Sequence, residues 1–438
     1  MPNLRLIAAA CVMVPSLMAP LQAISQDKIE LTFMSWEASP LESASIRAGL
    51  KDFEQANPDV RVKYVTSPFA QHHSKLRTMM AAGTAPDVFY LNPDYQRDFV
   101  ANGQLLDLTD AFPKYWDLKD FTPGSQKKIQ LEVDGKKHIY GVDVCNVGPV
   151  LFYNKKLFDE AGVPYPPTKL ADQWSWDQFV GYMRKLTKVQ NGKTLQYGTA
   201  NFEEGMNLYT TQEMLASNGA TWFNADFSKA EGMDSPQTKN TLEKIKALRT
   251  DGLAPNPASI GLDTTNSPTQ LLLTGRVATL FMGSYGLQEL AASHIELGAG
   301  LPPKMSGTFT PMSSCNMDAV WSGTKHPEEA IKLVTFLTSM KFAIPLYKAG
   351  LWMPNRLSMY QPDNLKSWYD PAVYPKGWID MQSLWTHSDL RWFDQIRHTD
   401  EVYNIISDSL QSYLYSDAKL DDVLPAMQSR VNEAMQQQ

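Results

Sequence analysis

The stretch "MMAAGTAPDVFYLNPDYQRDFVANGQLLDL", residues 79–108, decides the fold. A helical run closes at Gly83, a C-terminal cap signal. The short apolar strand "PDVFYL" follows, and the polar, aromatic loop "NPDYQ" (92–96) hangs off its end. Tyr95, Phe99 and Val100 then begin a helix closed by Gly103. Upstream, "KIELTFMSW" (28–36) has the look of a buried strand, and Ile46, Leu50 and Phe53 recur at helical spacing. "DVRVKYV" alternates Val60, Val62 and Tyr64, the period of a half-buried strand. Leu76, Met79 and Met80 mark the next helix. Strand, helix, strand, helix, strand, helix is the signature of a doubly wound α/β sheet, and ligands of such sheets sit outside the carboxyl ends of the strands. "SWEAS" (35–39) and "NPDYQ" both fall there.

Beyond this unit, "DGKKHIYGVDV" (134–144) predicts a turn and a strand, and "GPVLFYNKKLFDEAGVP" a strand and a short helix. Ser175 is placed to cap a helix carrying Trp176, Phe179, Met183 and Leu186 on one face. "GRVATLFMGSYG" is a buried strand running into a turn with glycine and tyrosine. "KHPEEAIKLVTFLTS" opens a helix with Pro327, Glu328 and Glu329 in its first turn, where the helix dipole favours anions. With 438 residues two domains are expected. No repeat or flexible linker separates them, so they are expected to share strand crossovers.

Hydrophobic residues at 43% and charged residues at 20% describe an ordinary globular chain, and the formal net charge of -7 argues against nucleic-acid binding. Residues 1–23 have the layout of a secretory signal peptide: Arg5, an apolar run from Leu6 to Met18, and small residues ending at Ala23. That run is shorter than the ~20 residues needed to span a bilayer, and no later segment is read as long and apolar enough to span one. Of the three cysteines, Cys145 and Cys315 remain after cleavage. Export permits them to pair, and burial as two small apolar residues is the other reading.

Signatures of catalysis are sparse. HExxH, CxxC and the P-loop are absent, and "GAGLPP" (298–303) has prolines where a dinucleotide-binding helix would begin. His72 and His73 are adjacent, so a helix points them apart, and surface positions are expected. No metal or cofactor is implied. Glu37 and Asp94 are a carboxylate pair at the sheet mouth, and a glycosidase would need them ~5 Å or ~6.5–9.5 Å apart. Each neighbours an aromatic, Trp36 and Tyr95. A pyranose has an apolar C–H face that lies well on a ring and a hydroxyl rim that wants fixed acceptors. Among 11 Trp and 18 Tyr, those at strand-end turns (Trp36, Tyr95, Tyr285, Trp352) are the candidates for a carbohydrate cleft.

"AAGTAPDVFYLNPDYQRDFVANGQLLDLTD", "DGKKHIYGVDVCNVGPVLFYNKKLFDEAGV", "QLLLTGRVATLFMGSY" and "SGTKHPEEAIKLVTFLTS" resemble successive blocks of the family 1 extracellular solute-binding proteins. These are the sugar-binding receptors of ABC importers, maltose-binding-protein-like. The resemblance implies a two-lobed α/β periplasmic-binding-protein fold, each lobe a sheet flanked by helices, joined by crossover hinge strands. The expected division is 1–23 signal peptide, 24–142 plus 291–345 lobe 1, and 143–290 plus 346–438 lobe 2. It also implies a monomeric periplasmic receptor that passes an unaltered sugar or small oligosaccharide to membrane permease subunits. Asp94 stands where the family binds sugar hydroxyls, Tyr285 where an aromatic stacks, and Tyr209, with Asn207 nearby, at a second-lobe aromatic position. Tyr403 matches another stacking aromatic, Trp36 and Glu37 follow the first strand, and Asn146 lies on the crossover.

The chain departs from the family in four places. Asp143 stands where proline is usual, Cys145 lies beside it, Leu91 occupies a place where some maltodextrin binders carry tryptophan, and "PMSSCNMDAVW" replaces a glycine-rich turn. If Cys145 and Cys315 pair, the bond would restrain the hinge. Two other readings stand beside the sugar receptor. Arg356, in "LWMPNR", would suit an anionic solute such as an acidic or sulfonated sugar or glycerol phosphate, with a salt bridge between lobe elements as its structural role. A secreted carbohydrate-active enzyme would use the paired carboxylates.

Overall fold

The computed structural model describes residues 28–37, 39–202, 208–256, 268–293, 295–307, 309, 311–313, 315–387 and 392–436. The expected signal peptide lies outside these. The chain forms two lobes, each built on a five-stranded sheet flanked by helices.

The first sheet runs in the order β2-β1-β3-β12-β6: β1 Ile29–Trp36, β2 Val60–Ser67, β3 Val88–Leu91, β6 Gly141–Asp143 and β12 Met317–Val320. β1 lies parallel to both β2 and β3, as the repeated strand–helix pattern requires, while β12 runs antiparallel to β3 and β6. A small hairpin of β4 (Gln130–Val133) and β5 (Lys136–Ile139) precedes β6. The helix Pro40–Ala56 starts where Ser39 accepts the Glu42 N–H and Pro40 pre-sets the first turn. It buries Ile46, Leu50 and Phe53, one helical face, against the sheet core.

The second sheet runs β11-β7-β10-β9-β8: β7 Pro149–Asn154, β8 Lys188–Gln190, β9 Lys193–Ala200, β10 Val277–Gly283 and β11 Leu297–Gly300. β11 corrects the expected division of the chain, because it falls within residues 291–345 yet pairs antiparallel with β7 of the second sheet. The glycines of "GAG" fit this place: a Cβ on Gly298 would collide with the Tyr153 ring across the pair. The helix Trp176–Leu186 opens with a reciprocal cap between Ser175 and Gln178 and buries Trp176, Phe179, Met183 and Leu186. The last two helices, Thr399–Tyr415 and Leu420–Met435, share an apolar cluster with Leu215, Trp222 and Leu242. Lys246 donates to the Tyr413 carbonyl at 2.7 Å. The tail therefore belongs with the second lobe.

One expectation about membranes is also corrected. Pro327–Lys348 is long and apolar enough, by composition, to cross a bilayer. It breaks instead into two helices, Pro327–Leu337 and Met340–Lys348, with Ser339 capping the second. Leu333, Val334, Leu337, Phe342 and Leu346 lie in the protein core, so the apolar length serves packing.

The lobes meet at crossovers bound by polar groups. Cys145, after β6, is disulfide-bonded to Cys315, before β12, with Cα atoms 5.6 Å apart. Lys128 Nζ lies 2.8 Å from Asp143 Oδ1, both side chains buried. Asn355 donates to the Asp143 carbonyl at 2.7 Å and to its carboxylate at 3.2 Å.

Candidate functional site

Three loops leave the carboxyl ends of the parallel strands β1, β2 and β3. The first carries Trp36 and Glu37, the second Pro68 and Phe69, the third Asn92 to Tyr95. β1 pairs in register with β2 up to Trp36 opposite Ser67, which places two of these loops side by side. The half-buried Trp36 ring meets Phe69 edge-on at 5.2 Å and Tyr90 at 5.1 Å. Glu37 is exposed and accepts from Ser43 Oγ at 3.2 Å. Asn92 accepts the Asp94 N–H at 3.1 Å, a local turn that fixes the loop.

Asp94 is buried, and its carboxylate accepts from the hydroxyl of Tyr403 on the second lobe. Its carbonyl accepts from Thr399 Oγ1 at 2.8 Å. Tyr95 lies between two rings: flat on His73 at 3.8 Å with 7° between planes, and near-parallel to Tyr403 at 6.3 Å. Tyr403 in turn stacks on Phe393 at 4.8 Å. Phe69, His73, Tyr95, Tyr403 and Phe393 thus form a ladder of rings crossing from the first lobe to the second. Burial, then the carboxylate of Asp400, which accepts from this phenol, and that of Asp94 push the Tyr95 phenol up, so it stays protonated.

A second contact bridges the lobes. Ser39 Oγ donates to Gln288 Oε1 at 2.9 Å. Gln288 stands three residues after Tyr285, which is 39% exposed on the single-turn helix Ser284–Gly286 at the end of β10. That turn is seated by Ser284, whose N–H donates to the Gly148 carbonyl at 2.8 Å. The structure therefore brings Trp36, Glu37, Asp94 and Tyr95 to the strand ends of the first lobe, and places on the second lobe Tyr285, at the end of β10, and Tyr403, on the helix Thr399–Tyr415.

Other expected site residues fall elsewhere. Trp352 is a core residue, buried beside Phe342. Arg356 is buried with its guanidinium over the Phe121 ring at 3.2 Å, donating to Asn355 Oδ1 at 2.7 Å and to the Thr338 carbonyl at 3.3 Å. Burial lowers it to about 10, and the geometry makes it a brace rather than an anion reader. Asn146 is fully buried, and its amide is used by Thr122, Ser125, Ser313 and the Pro354 carbonyl. Its backbone pairs with Met353 in both directions. It locks the crossover. Asn207 lies outside the described residues, as does the side chain of Tyr209.

The histidine expectation is overturned. Both rings are buried, because helix Phe69–Ala81 packs them behind the strand ends. His72 Nε2 donates to the Tyr90 carbonyl at 2.8 Å, so its neutral Nδ1 accepts from Ser67 Oγ at 2.9 Å. His73 Nε2 accepts the Asn92 N–H at 3.1 Å. Burial lowers His72 to about 4 and His73 well below the usual range. Phe69, 49% exposed beside Trp36, is the aromatic that sequence reading passed over. The rule that selected Trp36 and Asp94, a residue just past a parallel strand, selects "SPF" (67–69) as well. Among the described residues no group of three or more His, Cys, Asp or Glu could hold a metal ion.

The profile of the bacterial extracellular solute-binding proteins matches residues 37–343, and the chain belongs to that family. A galactooligosaccharide-binding protein of Bacillus subtilis is 25% identical over 376 residues, 81% of this chain and 82% of that one. The ABC substrate-binding protein Lmo0181 of Listeria monocytogenes, solved in complex with cycloalternan, superposes with a TM-score of 0.79 at 23% identity, covering 93% of this chain and 99% of that one. Maltose-bound MalE3 of T. maritima superposes at 0.76 with 20% identity, covering 92% and 99%. These two likenesses establish the two-lobed fold, and the family establishes a solute-binding protein.

Proposed function

We propose that this protein is a periplasmic receptor that holds a sugar or small oligosaccharide between its lobes and delivers it, unaltered, to the permease of an ABC importer. The observation that carries this reading is the pairing of Asp94 and Tyr95 on one lobe with Tyr403 on the other. Rings that can lie on a pyranose face stand beside a carboxylate that can accept from its rim. Trp36, Phe69 and Tyr285 extend the aromatic surface on either side. A solute touching both lobes stabilises the closed arrangement by its differential contacts, with the crossovers as hinge. The relatives that bind galactooligosaccharide, cycloalternan and maltose support a carbohydrate. The anionic reading loses its main residue, since Arg356 is enclosed on Phe121. The lobes divide near residues 144–148, 301–316 and 349–356, and the protein works as a monomer.

The test is a thermal-shift screen of the mature protein against galactooligosaccharides, maltotriose, neutral monosaccharides and uronic acids. A neutral sugar that raises the melting temperature and is recovered intact after long incubation supports the receptor. New reducing ends would instead establish an enzyme, and a response confined to uronic acids would restore the anionic reading.

A further inference from the structure

Asp98 stands on the helix Gln96–Ala101 of the first lobe, one turn beyond Asp94. Its two carboxylate oxygens reach the second lobe: Oδ1 accepts the His398 N–H at 2.7 Å and Oδ2 the Thr399 N–H at 2.9 Å. These are the first N–H groups of the 17-residue helix Thr399–Tyr415, which lack partners inside the helix. That helix has no side-chain cap of its own. Its cap residue, His398, takes φ 58° and ψ 38°, the left-handed region. A left-handed residue followed by a helical one turns two successive N–H groups to the same side, a concave seat for an anion. The positive end of the helix favours a carboxylate there. The cap is therefore supplied from the opposite lobe.

Neighbouring groups follow the same seam. Arg97 Nε donates to the Asp394 carbonyl at 3.1 Å, and its Nη2 to Gln395 Oε1 at 3.1 Å. Arg77 pairs with Asp400 at 2.5 Å. Tyr403 lies one helical turn beyond Thr399, so its position follows from how that helix end is seated.

We propose that Asp98 is the positioning residue of the interlobe site. By capping the helix Thr399–Tyr415 across the cleft, it registers Tyr403 against Asp94 and Tyr95 and latches the two lobes. Its consequence for solute binding rests on the receptor reading above, but the latch itself does not.

The test therefore uses no sugar. Dyes are placed on the mature chain through Lys51→Cys and Lys185→Cys, exposed positions on the two lobes, and the interlobe distance distribution is read by single-molecule energy transfer. Asp98→Ala is expected to lower the closed-to-open ratio of the unliganded protein about fivefold, the equivalent of losing an N-cap. Asp98→Asn keeps one acceptor oxygen and is expected to shift it less; Arg97→Ala shifts it in the same direction. These two variants carry the test if Asp98→Ala fails to fold. Lower melting temperatures with an unmoved distance distribution would overturn the proposal, leaving Asp98 as a helix cap alone. An unchanged ratio in all three variants would overturn it too, whatever sugar the protein binds.

Discussion

Lys128 and Asp143 form an ion pair at 2.8 Å with both side chains buried at the first crossover. Asp143 stands where the resemblance implied a proline, and Lys128 is the partner that makes a carboxylate tolerable there. Removing one member leaves a buried charge uncompensated, at about 3–5 kcal/mol. Lys128→Met is expected to lower the unfolding free energy by that order in urea titrations. Lys128→Met with Asp143→Leu should recover much of it. Equal loss in the single and double variants would show that the pair's geometry, not charge compensation, matters.

Trp352 and Arg356 separate packing from binding. Trp352→Ala should cost about 3–5 kcal/mol of stability, the usual effect of emptying a buried aromatic site. Arg356→Gln removes the contact with Phe121 and is expected to destabilise as well. Neither change should alter which sugar class raises the melting temperature. A switch from acidic to neutral preference in Arg356→Gln would return that residue to the ligand site.

Asp94→Asn and Tyr285→Ala probe the facing loops. Asp94→Asn keeps the shape of the Tyr403 contact but removes the charge, and a charged hydrogen bond is worth roughly 1.5–3 kcal/mol. Affinity for the sugar found by thermal shift should fall about tenfold or more in calorimetry. Tyr285→Ala should weaken it about fivefold, near the worth of one ring contact, with the melting curve of the free protein almost unmoved because Tyr285 is already exposed. Unchanged affinity in both variants would remove these residues from the site.

His72 gives a pH dependence with a definite sign. Its pKa is about 4 in the folded chain because of burial, against an ordinary value near 6.5. Between those values the unfolded chain binds a proton that the native ring refuses. Stability is therefore complete above about pH 6.5 and falls as the pH drops toward 4, by about 3 kcal/mol from this ring. His73 acts in the same direction. Denaturant titrations from pH 7 to 4.5 should show the decline, and His72→Gln should flatten it. A slope unchanged by that substitution would assign the acid sensitivity to other groups.

The Cys145–Cys315 bond closes a long loop, with a sequence separation of 170. Reduction is expected to cost a few kcal/mol, typically about 2–4. The melting temperature with and without reductant measures it. No difference would mean that the crossover hydrogen bonds of Asn146 and Asn355 hold the hinge unaided.

The sequence alone determined the elements and the mouth. Period-two and period-3.6 patterns depend only on which side chains face a core, so β1, β2, β3 and the helix faces of Ile46, Leu50 and Phe53 were legible, as was the placement of Trp36 and Asp94 at strand ends. Burial without regular period was not. His72 and His73 look like surface residues in a line of letters, yet the Tyr90 carbonyl and the Asn92 N–H, 18 and 19 residues further along the chain, are what receive them. The same holds for Arg356 on Phe121 and for Asp98 capping a helix 301 residues away. Those partners are distant along the chain, and a hydrogen bond depends on position in space, so only the tertiary structure decided which polar groups stand at the facing strand ends and which hold the lobes together.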